Sequence, residues 1–116
     1  MHKFVAYTII GLQIQKTDLK ISDDDYNIYI HNYTKLDNVE GELKINDTIY
    51  RVTKFHADDN FHYILLYEGC SDNNEKCPYS LEQLSKMKDK MKLNLQVINL
   101  WDEAKFGIYT GGHLFH

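Results

Sequence analysis

Apolar residues fill both alternating sets of positions between Lys3 and Gln15, a segment rich in Val, Ile, Thr and Tyr. That pattern is typical of a strand with both faces buried, so we predict a central β-strand there. A second apolar run, Phe61 to Glu68, predicts another strongly buried strand. Regular alternation along this second strand would place Tyr67 on the same face as Tyr63, opposite the face of Ile64.

Residues 26–33 alternate differently, because only one of the two faces is apolar. The dry face carries Ile28 and Ile30, and the other face carries Tyr29, His31 and Tyr33. We therefore predict a strand that is apolar on one side and both aromatic and polar on the other.

Two further segments, Val39 to Ile45 and Thr48 to Phe55, flank the dipeptide Asn46-Asp47. Asn and Asp tolerate the positive φ that a tight two-residue turn requires, so this stretch predicts a β-hairpin. The turn would fix the register and place three pairs opposite each other, which are Leu43 with Tyr50, Gly41 with Val52, and Glu42 with Arg51. The last pair joins opposite charges, so the cross-strand chemistry agrees with the turn.

A helix is predicted over about residues 80–92. Ser80 can accept a hydrogen bond from the first turn while Gln83 reaches back to the backbone of Ser80, an arrangement known as a capping box. Leu81, Leu84, Met87 and Met91 then recur at helical spacing. Beyond the helix, the apolar run Leu95 to Trp101 predicts a final strand, and the glycines within 104–116 mark that segment as a candidate flexible tail.

Together these elements predict an α+β fold, a mostly antiparallel sheet of about five to six strands with one helix packed on it. The chain has 116 residues, of which 43% are hydrophobic, which is enough to bury one core. We therefore expect residues 1–116 to form a single domain.

The charge balance narrows the class of partner. Lys and Arg number 13 against 17 Asp and Glu, a net charge of −4, so the basic excess of a general nucleic-acid binder is missing. A basic protein partner fits this balance better than direct binding to nucleic acid. The apolar run Phe4 to Leu12 is too short to span a membrane and lacks a cleavage signature, so we expect a cytoplasmic protein.

The chain has two cysteines, Cys70 and Cys77, separated by a polar stretch typical of a turn. A reducing cytoplasm would keep both thiols free, which is the expectation we favour over a disulfide. A metal site ranks third, because structural zinc sites generally use closer paired spacings. No cofactor and no metal are expected.

Histidines offer the clearest route to enzymatic chemistry. His56 and His62 flank a polar stretch, and a turn between them could bring the two imidazoles together as base and acid in RNA cleavage, with His113 as a third candidate. A polar turn with two edge histidines explains the same pattern. The sequence contains neither a nucleophile elbow nor a cysteine in a recognisable catalytic context, so no catalytic residue is assigned.

Acidic turns beside exposed aromatic residues are the most suggestive pattern in the chain. Tyrosine offers a large rigid contact surface with a hydrogen-bonding tip, and carboxylates steer a basic partner towards it. The predicted partner-binding residues are Asp23, Asp24, Asp25, Tyr26, Tyr29, His31, Tyr33, Asp58 and Asp59. An alternative of equal weight is that the aromatic residues cover a second core layer.

The leading functional hypothesis is a non-enzymatic inhibitor of a basic nucleic-acid-handling protein such as a nuclease. Immunity proteins that block toxins and viral anti-defence proteins that block host nucleases are of this type. The alternatives are a small His-dependent RNase and a module that sequesters a small nucleotide in a pocket lined by Tyr and Lys.

Overall fold

The fold is given by a computed structural model that describes residues 3–15, 30–31, 40–45, 47–55, 60–70 and 76–115. Within these residues the secondary structure comprises six strands, one α-helix and a three-residue 3-10 turn at Glu103–Lys105. The strands are β1 (Lys3–Gln15), β2 (Ile30–His31), β3 (Glu40–Ile45), β4 (Thr48–Thr53), β5 (Phe61–Cys70) and β6 (Phe106–Phe115), and the helix is α1 (Leu81–Val97).

The strands form one sheet in the order β2-β3-β4-β5-β1-β6, and every described pairing is antiparallel. The predicted α+β fold is therefore confirmed. Strand β1 has a neighbour on each side, as its two apolar faces predict. Of the predicted strand at residues 26–33, only Ile30–His31 is among the described residues.

The β3–β4 hairpin has the predicted register. Leu43 lies opposite Tyr50, Gly41 opposite Val52, and Glu42 opposite Arg51. Ile45 pairs with Thr48, which leaves a two-residue connection between the strands. The side chains of Leu43 and Val52 are fully buried, because the hairpin turns this face towards the helix.

A β-bulge interrupts the pairing of β1 with β5. Ile10 lies opposite Tyr67 and Gly11 opposite Leu65, so Leu66 is the extra residue. The bulge reverses the alternation of β5, which puts Tyr67 on the helix side of the sheet, where its ring meets Tyr79 just before α1. The prediction that Tyr67 shares a face with Tyr63 is therefore wrong.

Helix α1 begins as predicted but continues further. The Ser80 hydroxyl accepts from the Gln83 N–H and the Gln83 side chain accepts from the Ser80 N–H, so both halves of the capping box are present. The prediction of a strand over Leu95 to Trp101 is wrong, because the helix runs to Val97 and buries Leu95 against the sheet. Its last turn ends in a Schellman motif at Asn99, whose φ is 58°.

The Schellman motif contains a signal that the sequence analysis missed. The Leu100 N–H donates to the Leu95 carbonyl at 2.9 Å and the Asn99 N–H donates to the Gln96 carbonyl at 3.1 Å. Asn is the residue after Gly that most readily adopts the left-handed conformation this motif requires. Asn99 therefore marks the end of α1 in the sequence.

Hydrophobic side chains bury both faces of the sheet. The helix side is the larger core, formed by Leu12, Ile14, Leu43, Ile45, Tyr50, Val52, Ile64, Met91 and Leu95. The opposite side holds a smaller, more aromatic cluster of Ile9, Phe55, Tyr63 and Leu65. Within the larger core, the Asn94 side-chain amide donates to the Tyr50 hydroxyl at 2.9 Å, which satisfies two buried polar groups.

The C-terminal segment is ordered into a strand. Residues 106–115 pair with β1 along their whole length, from Phe106 opposite Leu12 to Phe115 opposite Lys3. The expectation of a flexible tail does not hold for these residues, because β1 supplies a backbone partner that compensates for the weak strand propensity of three glycines.

Candidate functional site

Four described residues that lie near the predicted acidic turns in sequence share one end of the sheet. Gln15 lies opposite Phe61, and Thr53 lies between Glu40 on one side and Tyr63 on the other. Because the strands are antiparallel, these residues all lie at the same end. We call this end, marked by Gln15, Glu40, Thr53 and Phe61, the loop end of the sheet.

Three segments outside the described residues adjoin the loop end in sequence. Residues 16–29 follow Gln15, residues 32–39 precede Glu40, and residues 56–59 separate Phe55 from Asn60. Their acidic residues are Asp18, Asp23, Asp24, Asp25, Asp37, Asp58 and Asp59, and their basic residues are Lys16, Lys20 and Lys35. The acidic excess of the chain is therefore concentrated in segments that adjoin the loop end in sequence.

The predicted partner-binding residues fall almost entirely within these segments. Asp23, Asp24, Asp25, Tyr26, Tyr29, Tyr33, Asp58 and Asp59 lie outside the described residues. Of His31, the structure gives the backbone position in β2, opposite Glu42 of β3. Strand β2 is the outer strand on its side of the sheet, so residues 30–31 lie at an edge.

A polar groove of about 220 Å³ lies at the loop end. Gln13 and Gln15 of β1 meet Phe61 of β5 there, and Asp102 and Lys105 from the segment before β6 complete its wall. The groove therefore combines an amide pair, an aromatic ring and one charge of each sign. Sequence reasoning missed it, because its residues come from three parts of the chain that only the sheet brings together.

Asp102 is held in place by its own turn. Its carboxylate accepts from the Ala104 N–H at 3.0 Å, the capping arrangement that starts the 3-10 turn. The turn then places Lys105 so that its carbonyl accepts from the Tyr109 hydroxyl at 2.5 Å. Asp102 thus adds a fixed carboxylate to the loop end.

A row of aromatic rings extends from the groove across the face of the sheet opposite the helix. The Gln13 amide donates to the Tyr63 hydroxyl at 3.2 Å, and the Tyr63 ring lies 4.9 Å from that of Tyr109 and 5.1 Å from that of Phe55. Burial raises the pKa of the Tyr109 hydroxyl, and the nearby Tyr63 and Asp102 raise it further. The Tyr109 hydroxyl therefore acts as a neutral hydrogen-bonding group near pH 7.

A charged cluster around Lys88 and Glu103 connects the helix to the segment before β6. The Lys88 ammonium lies 2.8 Å from the Glu103 carboxylate and 5.1 Å from the centre of the Phe106 ring, while the Trp101 indole N–H donates to Glu103 at 3.1 Å. The hydrogen bond from Lys88 lowers the pKa of the Glu103 carboxyl. Glu103 is thus an ionised group at neutral pH whose charge is balanced by Lys88.

His62 lies in an unfavourable position for RNA cleavage. His62 is 1% exposed and lies opposite Ile14, on the helix side of the sheet. His56 is outside the described residues, and of His113 only the backbone position in β6 is described. An imidazole buried in this way cannot reach the phosphate of a bound RNA without a change in the fold.

An apolar groove of about 260 Å³ lies between the helix and the β3–β4 hairpin. Ile49, Leu66, Met87 and Lys90 are among the residues that line it. Both grooves are smaller than the roughly 300 Å³ at the lower limit of pockets that enclose a small molecule.

Cys70 and Cys77 are free thiols, each partly buried. Among the described residues, no three His, Cys, Asp or Glu side chains are grouped so that they could hold a metal ion. Over the same part of the chain, no helix has the length and apolar character that crossing a membrane requires.

Comparison of the chain with protein-family models, with curated protein sequences and with solved structures finds no match.

Proposed function

We propose that this chain is a non-enzymatic binding protein that inhibits a basic, nucleic-acid-handling protein, in the manner of immunity proteins and viral anti-defence proteins. The observation that supports the proposal is the antiparallel register of the sheet, which puts Gln15, Glu40, Thr53 and Phe61, residues near the acidic segments in sequence, at one end. Asp102 adds a described, exposed carboxylate at the same end. Carboxylates gathered on one side of a protein accelerate the approach of a basic partner.

We assign the partner-binding residues predicted from the sequence to this proposed surface because they adjoin the loop end or β2 in sequence. The segment from Asp23 to Tyr33 runs into and out of the edge strand β2, and Asp58 and Asp59 belong to the β4–β5 connection. Tyrosines beside an exposed sheet edge would supply the apolar anchor, and the surrounding carboxylates would supply attraction and orientation.

The two alternatives have weaker support. The burial of His62 disfavours an RNase that depends on His56 and His62. Neither of the two grooves formed by described residues is large enough to enclose a nucleotide.

The first experiment is affinity capture from lysate of the native host, with identification of both protein and nucleic acid. A single stoichiometric basic protein is the expected product. Recovery of RNA without any protein would contradict the proposal.

Charge reversal then tests the surface with the purified partner. The double variant Asp58→Lys/Asp59→Lys should associate several-fold more slowly at low salt, and its association rate should depend less on salt concentration. The triple variant Asp23→Lys/Asp24→Lys/Asp25→Lys should show the same change. A matched control is Asp47→Lys/Asp89→Lys, because both residues are exposed and neither belongs to the acidic segments that adjoin the loop end in sequence. Equal slowing in the control would mean that only net charge matters and would refute the proposed surface.

A further inference from the structure

Strand β6 forms the edge of the sheet opposite to β2. It is ten residues long, and within the described part of the chain it pairs only with β1. An edge strand that pairs on one side presents a row of backbone donors and acceptors on the other.

The sequence of β6 lacks the features by which proteins block such an edge. Between Phe106 and Phe115 there is no Lys, Arg, Asp, Glu or Pro. Edge strands of monomeric proteins are usually protected by charges, by prolines or by bulges. Its pairing with β1 runs in continuous register, so a bulge does not turn it away from an approaching strand either.

Exposed side chains along β6 favour pairing with another strand. Ile108 is 70% exposed although it stands beside Ile10 on the helix side of the sheet. Thr110 is exposed on the same face, opposite Thr8 of β1. A neighbouring strand on the open side would cover Ile108 and would provide a cross-strand partner for Thr110.

We propose that β6 is the self-association edge of this protein, where a second copy of the chain adds its own β6 antiparallel about a two-fold axis. Identical antiparallel strands are self-complementary, so the contact closes as a dimer. Each copy carries a net charge of −4, so two copies repel each other. Because β6 contains no Lys, Arg, Asp or Glu, pairing of two β6 strands would not bring like charges together within the contact.

The glycines of β6 define a preferred register. With the two-fold axis at Thr110, each Ile108 lies across from Gly112 of the other copy, and the two Thr110 residues face each other. A large residue opposite a glycine fills the space that the missing side chain leaves. Thr–Thr pairs are among the cross-strand pairs that stabilise sheets.

The dimer should depend on concentration. Pairing of two edges buries less surface than the roughly 1,200 Å² of a standard protein interface, which is typical of weaker, reversible association. Because β2 lies at the other edge of the described sheet, self-association through β6 would not cover β2.

Sedimentation across a concentration series tests the proposal. The native chain should shift from one to two chain masses as its concentration rises. Thr110→Lys should remain monomeric at the same concentrations, because it places two ammonium groups together at the axis. Thr8→Lys is the matched control, since Thr8 is equally exposed on the adjacent strand but is not at the edge, and it should still dimerise. A monomeric native chain, or equal dissociation of both variants, would overturn the proposal.

A cross-link provides an independent test in which the edge is kept neutral. In a Cys70→Ser/Cys77→Ser background, Thr110→Cys should form an intermolecular disulfide on mild oxidation, because the substituted positions face each other across the axis. Thr8→Cys should not. Cross-linking of both variants to the same extent would indicate random collision and would refute the antiparallel β6 contact.

Discussion

Replacement of Gly11 by alanine should strongly destabilise the fold. A Cβ added at Gly11 would overlap the Ile64 carbonyl oxygen and lie 3.1 Å from the Ile64 carbonyl carbon and 3.2 Å from the Leu65 Cα, where ordinary contact begins at 3.4 Å. All three are backbone atoms beside the bulge, so they cannot rotate away as a side chain could. Strands β1 and β5 would have to separate locally.

The size of the effect follows from two contributions. Overpacking in a rigid environment costs about 1–3 kcal/mol, and weakening a buried backbone hydrogen bond adds about 1 kcal/mol. We therefore expect Gly11→Ala to lower the free energy of unfolding by about 3 kcal/mol. For a domain of this size that corresponds to a fall in Tm of about 12 °C.

Gly107 provides a matched control, because it lies directly opposite Gly11 on β6. A Cβ added at Gly107 would have no atom within 4 Å, and neither glycine has a positive φ. The same substitution there should be neutral or should stabilise the protein by up to about 1 kcal/mol through the reduced entropy of the unfolded chain. The contrast between the two variants therefore isolates steric contact.

Urea denaturation of the native chain and both variants, followed by far-ultraviolet circular dichroism and by fluorescence of the sole tryptophan, Trp101, measures the two changes. If Gly11→Ala lost less than about 1 kcal/mol, or if Gly107→Ala lost as much as Gly11→Ala, the close approach of β5 to Gly11 at the bulge would be wrong.

Two further predictions concern helix α1. Leu95→Ala should lower the free energy of unfolding, measured by urea denaturation, by about 3 kcal/mol because Leu95 is fully buried. Leu93→Ala, at a 67% exposed position of the same helix, should change it by less than about 0.5 kcal/mol. Similar losses in the two variants would contradict the assignment of the buried and exposed faces of the helix. Lys88→Met should raise the pKa of Glu103 towards its ordinary value of 4.5, measured by NMR titration of the carboxyl carbon. Since the native pKa of Glu103 is lowered, the ion pair stabilises the fold above about pH 4.5, and that stabilisation disappears as the pH falls through the lowered pKa. An unchanged Glu103 titration in the Lys88→Met variant would show that Lys88 does not cause the lowered pKa.

Local patterns in the sequence were sufficient wherever the interactions that fix an element are short in range. The β3–β4 hairpin is fixed by a two-residue turn and by alternation, so the opposition of Leu43 and Tyr50 follows from the sequence. The start of α1 is fixed by Ser80 and Gln83, which contact each other within one turn. The buried character of β1 follows from apolar residues on both alternating sets.

Partners distant in sequence decided the remaining features. Strand β6 forms because β1 pairs with a glycine-rich segment of low strand propensity. The apolar run that starts at Leu95 suits either a strand or a helix. In the structure Leu95 belongs to α1 and is buried between the helix and the sheet. The bulge at Leu66 reversed the side of Tyr67, because Gly11 on another strand allows close approach there.

The candidate site likewise combines features that the sequence determined with features that only the tertiary structure decided. The sequence determined the residue types, namely acidic turns, neighbouring tyrosines and a chain with net negative charge. It left open which segments adjoin one another, since that depends on the order and direction of the strands. Only the tertiary structure put Gln15, Glu40, Thr53 and Phe61 at one end of the sheet and left β2 and β6 as its two edges. Hydrophobic periodicity reports which face of an element is buried, whereas pairing between strands depends on partners far away in the chain.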